Sequence, residues 1–344
     1  MGPKKRYTIH DIAKELKTTA STVSRALNDN PRISVKMRRK VKDLARKVDY
    51  QPDFRALSLR TGSGRTIGVL VPQVDRHFFA TVLRGIDEVA TQANYNVLIC
   101  QSYESISKET TLLRSLLAGK IDGLIASISI ETGDAKNFEP FVRKGVPLVF
   151  FDRVLDSLRA SKVVIDDYKG GVLAVEHLIA AGCRRIAHFA GPQHIQMYAN
   201  RTLGFTDTIK KHKLDADPGL IFHGVITRET GCEALQQILK MVPRPDAVFS
   251  SGDYSALGAM LCALDAGLKV PYDMAFVGFA NEPFGSIITP TLTSIDQHAL
   301  EMGRQAAILL VEEIENKNSS KTFVPRTVML DPHLIPRSST NRTS

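Results

Sequence analysis

Ala20-Ser-Thr-Val-Ser-Arg25 follows directly on the turn Lys17-Thr18-Thr19, and this run carries the clearest chemistry in the chain. That chemistry is recognition by hydrogen bonding. In a helix-turn-helix the second helix enters the major groove of DNA with its N-terminal residues toward base edges, which places Ala20, Ser21, Thr22 and Arg25 at or near bases. Arg25 can donate two hydrogen bonds to a guanine. Thr19, Ser24 and Asn28 carry short polar groups suited to phosphate oxygens. Catalytic patterns are missing: there is no HExxH, no GxSxG and no GxxxxGK followed by Ser or Thr. The nine histidines are dispersed without metal-ligand spacing; His10, in a helix, and His188, in a strand, read as structural. These residues predict a binding protein, not an enzyme, with no cofactor and no metal.

Such a helix needs a scaffold, and the flanking residues supply one. Residues 7–48 read as three short helices. Thr8 can cap the first, with Asp11 three residues on in the capping-box manner, and Ile9, Ile12, Ala13 and Leu16 form its apolar face. The second starts near Ala20 and puts Val23, Ala26 and Leu27 on one face. Asn28-Asp-Asn-Pro31 breaks it. Ser34 can cap the third, whose buried stripe is Met37, Val41, Leu44, Ala45 and Val48. Pro52 stops that helix, Phe54–Arg60 can form a short one, and Thr61-Gly-Ser-Gly64 is a flexible break. The expected division is a head over 1–52, a hinge helix and linker over 53–64, and a body from Arg65.

Charge follows the same division. Residues 1–65 hold 17 Lys and Arg against 6 Asp and Glu, leaving 28 basic against 30 acidic residues for the rest. The whole excess of +9 therefore sits in the head, as expected of a polyanion-binding module on a near-neutral body. The basic start, Met1 to Arg6, is not followed by an apolar run, so no signal peptide or membrane span is expected. Cys100, Cys183, Cys232 and Cys262 are scattered in apolar settings and read as buried free thiols. Together these features predict a cytoplasmic location.

From Arg65 onward, apolar strand-like runs (67–71, 96–100, 123–126, 147–151) alternate with helical ones, near 79–93 and through 112–117. Continuous apolar strands separated by helices predict parallel sheets covered on both faces. The pattern restarts at Arg185, with later strands at 247–250 and 274–277 and helices through Gly204-Phe205 and over 255–266. One further strand-like run spans 327–330. Two consecutive α/β units predict two lobes with a cleft, and ligands in such sheets bind beyond the C-terminal ends of the strands.

The residues now in view resemble the lactose-repressor family. The match runs through Thr8-Ile-His-Asp-Ile-Ala-Lys, Ser21-Thr-Val-Ser-Arg-Ala-Leu-Asn28, Ile33-Ser-Val-Lys and Val48-Asp-Tyr-Gln-Pro52. It continues through Ile67-Gly-Val-Leu-Val-Pro72, Gly123-Leu-Ile, Asp253-Tyr-Ser-Ala-Leu-Gly258 and Leu292-Thr-Ser-Ile295. The resemblance implies a ligand-responsive, sequence-specific transcription regulator, a repressor, acting on carbohydrate or related metabolic genes. Its expected partners are a second copy of the chain, a near-palindromic DNA operator, and a small effector (a sugar, sugar acid or sugar phosphate); no membrane is among them. The resemblance implies a periplasmic-binding-protein-like core over 65–338, with an N-lobe of about 65–163 and 293–325, a C-lobe of about 164–292 and 326–338, and a tail over 339–344. It adds Thr8, Ser34 and Tyr50 to the DNA-contacting positions, and Leu59 as a wedge into the minor groove. It puts His77, Phe78, Phe79, Ser127, Asp152, Arg153, Arg201 and Asp253 at the effector cleft, with Arg201 as a clamp for hydroxyls or a carboxylate. The sequence departs from the family at the turn, where Lys17-Thr18-Thr19 replaces the usual Gly-Val-Ser. In the cleft, Gly252 and Ala280 stand where many relatives have an Asn and an Asp that bind sugar hydroxyls, a departure that argues against a plain hexose. Asn281 or Glu282 are candidates to replace them.

Overall fold

The computed structural model describes residues 7–50, 64–318 and 324–342. The chain divides into two separately packed units after Gly64. In the first, the three expected helices form: α1 (Ile9–Glu15), α2 (Ala20–Leu27) and α3 (Val35–Lys47). Ile12, Val23, Ala26 and Val41 are fully buried between them, and each large side chain so placed contributes about 1.5–3 kcal/mol. The hinge over 53–64 and the wedge residue Leu59 lie outside the described residues, apart from Gly64.

The second unit contains two six-stranded sheets. The first has the order β11-β5-β4-β3-β1-β2, from β1 (Thr66–Val71), β2 (Asn96–Gln101), β3 (Gly123–Ala126), β4 (Leu148–Phe151), β5 (Ser161–Ile165) and β11 (Thr327–Leu330). All its neighbours pair in parallel. β1 shows why its sequence is continuously apolar. Ile67, Val69 and Val71 point to one packed layer, with α4 (His77–Gln92) and α11 (Ala299–Asn318), and Leu70 points to the other, with α5 (Ile106–Ala118) and α6 (Glu139–Arg143). α4 and α11 cross where Gly85 meets the Leu300 carbonyl and Gly303 meets that of Val82; a Cβ at either glycine would collide with backbone oxygen.

The second sheet has the order β12-β10-β9-β8-β6-β7: β6 (Ile186–Ala190), β7 (Ile221–His223), β8 (Ala247–Ser250), β9 (Ala275–Phe279), β10 (Thr293–Asp296) and β12 (His333–Ile335). Only β12 runs antiparallel. α7 (Asp167–Ala180) and α8 (Gln196–Lys211) pack on one face, α9 (Arg228–Ile238) and α10 (Asp253–Asp265) on the other.

The lobe limits read from sequence need correction. β10 pairs with β9, so 293–296 belongs to the C-lobe, and β11 pairs with β5, so 327–330 belongs to the N-lobe. The crossings thus fall between Ile165 and Asp167, Asp296 and Ala299, and Leu330 and His333. Strand pairing decides this, between residues 16 positions apart for β9 and β10 and 165 apart for β5 and β11. The supposed tail from 339 is also integral through Arg342. Ser339 and Thr340 are buried, and the Phe276 N–H donates to the Ser339 carbonyl at 3.0 Å. Cys232 and Cys262, expected as free thiols, are joined in a disulfide with Cα atoms 5.5 Å apart, because α9 packs on α10. Cys100 and Cys183 are free.

His188 is 0% exposed in β6, between the rings of Phe205 and Phe249. Its Nδ1–H donates to the Phe249 carbonyl at 3.0 Å, which leaves Nε2 to accept from the Thr202 hydroxyl at 3.1 Å. Burial pushes its pKa down to about 3. The unfolded chain takes up this proton near pH 6.5 and the native one only near 3, so the stability it gives is present above 6.5 and lost as pH falls. We expect wild type to lose about 2 kcal/mol more than His188→Asn between pH 7 and pH 5. Parallel thermal melts of the two proteins check this, and coincident pH profiles would refute it.

Candidate DNA interface and effector cleft

In the head, Thr8 caps α1 with a full capping box. Its hydroxyl accepts the Asp11 N–H at 3.3 Å, and the Asp11 carboxylate accepts the Thr8 N–H at 2.8 Å. Thr19 caps α2, accepting the Thr22 N–H at 3.2 Å, and Ser34 caps α3 through the Met37 N–H at 3.3 Å. All three caps remain exposed. Lys17 takes a left-handed backbone, φ 49°, a conformation that costs a residue with a Cβ about 1–2 kcal/mol. The Thr18 N–H donates to the Ala13 carbonyl at 2.9 Å and helps close the turn.

At roughly 100° per residue, α2 sorts its side chains into two arcs. Ser21, Arg25 and Asn28 lie exposed on the outer arc, with Thr22 half-buried at its margin. Val23, Ser24 and Ala26 are buried on the inner arc, and Ala20 packs against the head core. Ser24 and Ala20 therefore turn toward the protein, contrary to the expectation that they face DNA; Ser24 lies about 60° beyond Leu27, at the edge of the buried arc. Asn28 donates its amide to the Ser24 carbonyl at 2.9 Å. Asp29, four residues beyond Arg25, is instead engaged by Lys42 at 2.6 Å and Arg38 at 3.9 Å. Among the described residues no ion pair engages Arg25. Tyr50 is half-buried against the head core.

In the second unit the sequence-predicted cleft residues separate into two groups. The first meets at the C-terminal ends of the strands. Arg201, on α8, is 2% exposed. Its Nε and Nη2 lie 2.8 Å from Asp167 Oδ1, Nη1 donates to the Ser251 carbonyl at 2.7 Å, and Nη2 donates to Gln297 at 3.3 Å. Its guanidinium lies 3.5 Å from the centre of the Phe279 ring. Burial pushes the Asp167 carboxyl up to about 7, against the pull of Arg201. Arg153 donates from Nη1 to both oxygens of Glu104, at 2.9 and 2.8 Å. Asp152, with a left-handed backbone at φ 58°, is buried beside Arg153 and accepts the Ser127 hydroxyl at 3.4 Å.

The second group is committed elsewhere. Phe78 and Phe79 belong to the N-lobe core, edge to face at 5.2 Å, and His77 is exposed beside Thr81. Asp253 accepts the Ser294 hydroxyl at 2.6 Å and the Glu282 N–H at 2.7 Å. The Asn281 amide is taken up by Asp296 at 3.0 Å and Arg337 at 2.7 Å. Glu282 reaches across to the N-lobe, where its carboxylate accepts the Phe78 N–H. Arg76 covers the Tyr254 ring at 3.8 Å, and His194 donates from Nε2 to the Ile130 carbonyl at 2.7 Å. The two lobes are thus tied directly.

Sequence reasoning missed Glu104, Asp167, Ser251 and Gln297. Each sits just past a strand, and that position is the only signal the sequence offers for them. Among the described residues, three buried polar atoms at these ends have no hydrogen-bond partner: Ser102 Oγ after β2, Arg153 Nε after β4 and Ser251 Oγ after β8. Buried polar atoms are otherwise almost always paired, so this is where a polar ligand gains most. Among the described residues no cluster of three His, Cys, Asp or Glu could hold a metal, and no helix is long and apolar enough to cross a membrane.

A basic, capped helix-turn-helix followed by a two-lobed α/β core with a polar cleft defines a ligand-responsive DNA-binding regulator. Residues 8–53 match the family of bacterial regulatory proteins, lacI family, and residues 175–340 match a periplasmic binding protein-like domain. The chain belongs to the lacI family. It is 32% identical over 333 residues to the HTH-type transcriptional repressor CytR of Escherichia coli (strain K12), covering 97% of this chain and 96% of that protein. It is 30% identical to catabolite control protein A of Priestia megaterium, covering 95% and 97%. The lac repressor dimer solved on operator with the anti-inducer ONPF superimposes with a TM-score of 0.84 at 25% identity, covering 98% of this chain and 99% of that one. The complex of the regulator CelR with cellobiose gives 0.74 at 27% identity, covering 97% and 100%. The protein is accordingly a transcription regulator with a DNA-binding head and a periplasmic-binding-protein-like core, and not an enzyme.

Proposed function

We propose that this regulator works in the cytoplasm as a repressor of carbohydrate-related genes. In this reading α2 lies in the major groove with Ser21, Thr22 and Arg25 toward the bases. Thr8, Thr19, Asn28, Ser34 and Tyr50 line the phosphates, and Leu59 acts at the dyad. A sugar or related polar molecule binds among Ser127, Asp152, Arg153 and Arg201. The observation that carries the effector reading is the set of unpartnered buried atoms Ser102 Oγ, Arg153 Nε and Ser251 Oγ at the strand ends. A relative solved with cellobiose and another with ribose support the carbohydrate class. The effector changes operator affinity only to the extent that it binds the two hinge states differently. Selection from random duplex DNA at near-physiological salt tests the reading. An inverted repeat should emerge, and ribose or cellobiose should change the affinity for it. No enrichment, with or without added metabolites, would sink it.

The edge strand β2 offers a surface for the second copy. Leu98 and Ile99 are 47% and 48% exposed there, with Tyr103 and Ile106 just beyond. An exposed apolar edge invites pairing unless it is covered. Ile99→Asp is expected to weaken the dimer at least ~10-fold, the equivalent of 1.4 kcal/mol, as read by sedimentation equilibrium. An unchanged dimer constant would place the interface elsewhere.

A further inference from the structure

Cys232 on α9 and Cys262 on α10 lie 30 positions apart and are joined in a disulfide, with Cα atoms 5.5 Å apart. The helices, and not the sulfurs, set that separation. Gly231 faces the Ser255 carbonyl and Gly258 the Arg228 carbonyl, and a Cβ at either glycine would collide with backbone oxygen. Leu235 and Ile238 of α9 and Ala259 and Met260 of α10 fill the buried layer around this crossing. The packing therefore holds the two cysteines within the usual disulfide range, about 4.4–6.8 Å between Cα atoms, whether or not the sulfurs are bonded. Opening and closing the bond needs no backbone movement. Both cysteines are half-buried and not sealed in the core, so a small thiol or disulfide can reach a sulfur. The other two sulfurs differ. Cys183 is fully buried and its thiol is pushed up to about 12; burial also raises that of Cys100, and both are free. The thiolate is the attacking species, so exchange at these two is disfavoured. In the cytoplasm proposed above, where small thiols keep most cysteines reduced, disulfides are chiefly transient ones.

We propose that Cys232 and Cys262 form a reversible thiol–disulfide site for low-molecular-weight disulfides of the glutathione class, and that its state sets the stability of the C-lobe. Oxidation runs in two exchanges. One cysteine thiolate attacks the external disulfide, forms a mixed disulfide and releases one small thiol. The second cysteine thiolate attacks the protein sulfur of that mixed disulfide and releases the other. The cysteine pair loses two electrons and two protons, and the external disulfide becomes two thiols; excess small thiol drives the reverse. The closed loop carries β8 and the Ser251-Gly252 segment at the edge of the cleft. Closing it removes conformations from the unfolded chain without straining the folded one. The test uses the full-length protein, reduced with dithiothreitol, desalted and exposed to oxidised glutathione without denaturant. Alkylation in denaturant followed by mass spectrometry should count four modified cysteines before exposure and two after it, the two being Cys100 and Cys183. The melting temperature should rise by roughly 5–10 °C on oxidation and fall again when dithiothreitol is added to the native protein. Four modified cysteines after exposure, or a bond that dithiothreitol opens only once the protein is unfolded, would overturn reversibility. A melting temperature that does not move would overturn the link to stability. The double variant with Cys232→Ser and Cys262→Ser should melt as the reduced wild type does, with or without oxidised glutathione. A shift of the same size in that variant would assign the effect to other groups and remove the pair from it.

Discussion

Arg25→Ala is expected to erase most of the discrimination between operator and random duplex. The side chain stands exposed on the outer arc of α2 without an ion pair, so truncation costs the fold little. A bidentate contact to guanine carries about 1–3 kcal/mol of discrimination, and a dimer loses it in both half-sites, for a combined fall of roughly 10²–10⁴ in specific affinity. Binding to nonspecific DNA should change far less, because one of many cations is removed. Fluorescence anisotropy with operator and scrambled duplexes at one fixed salt concentration measures both. If the two affinities fall together, Arg25 is a phosphate contact and base reading lies elsewhere on α2.

Arg201→Ala is expected to show the second large effect, on stability as well as on control. Removing the guanidinium leaves the buried Asp167, its carboxyl already pushed up to about 7, without its counter-charge; breaking a buried pair from one side costs up to about 3–5 kcal/mol, and less as the carboxyl takes up a proton. Each kcal/mol moves the melting temperature of a domain of this size by roughly 2–4 °C. Adding Asp167→Asn should recover much of that loss, since the orphaned charge disappears. The double variant should remain unable to respond to effector. Thermal melts of the single and double variants settle the point: equal losses in both would mean that Arg201 acts through packing and not through charge.

The head was legible because its information is local. Thr8 and Ser34 precede apolar periodicities of 3.6 and form the caps read from the sequence, and Thr19, read there as a phosphate contact, caps α2 in the same way. The inward turn of Ser24 was not set by that period, which puts it at the margin of the apolar arc, between Leu27 and the exposed Asn28. In the core, the strands buried on both faces declared themselves as apolar runs. β5, β7, β10 and β12 did not; β5 begins with Ser161 and Lys162, and β7 and β12 have three residues each. The cleft was half legible. Arg201, Arg153 and Asp152 meet at the strand ends, whereas Phe78, Asp253 and Asn281 are bound up in packing and in hydrogen bonds with other protein groups. Asp167 lies 34 positions before its partner, and no local pattern links the two.

The exchange of strands between lobes also sets an order of assembly. The N-lobe sheet is completed by β11 and its outer layer by α11, whose Met302, Ala306 and Leu310 are fully buried. A nascent chain that ends before Ala299 therefore presents an unfilled layer over β1 and β4, however well its first hundred residues have formed. Neither lobe is a continuous stretch that a shortened message could yield, and contacts this distant in sequence make folding slow. Chains truncated between the second and third crossings should be targets for proteolysis, while the head, with its own local core, persists as a released DNA-binding fragment.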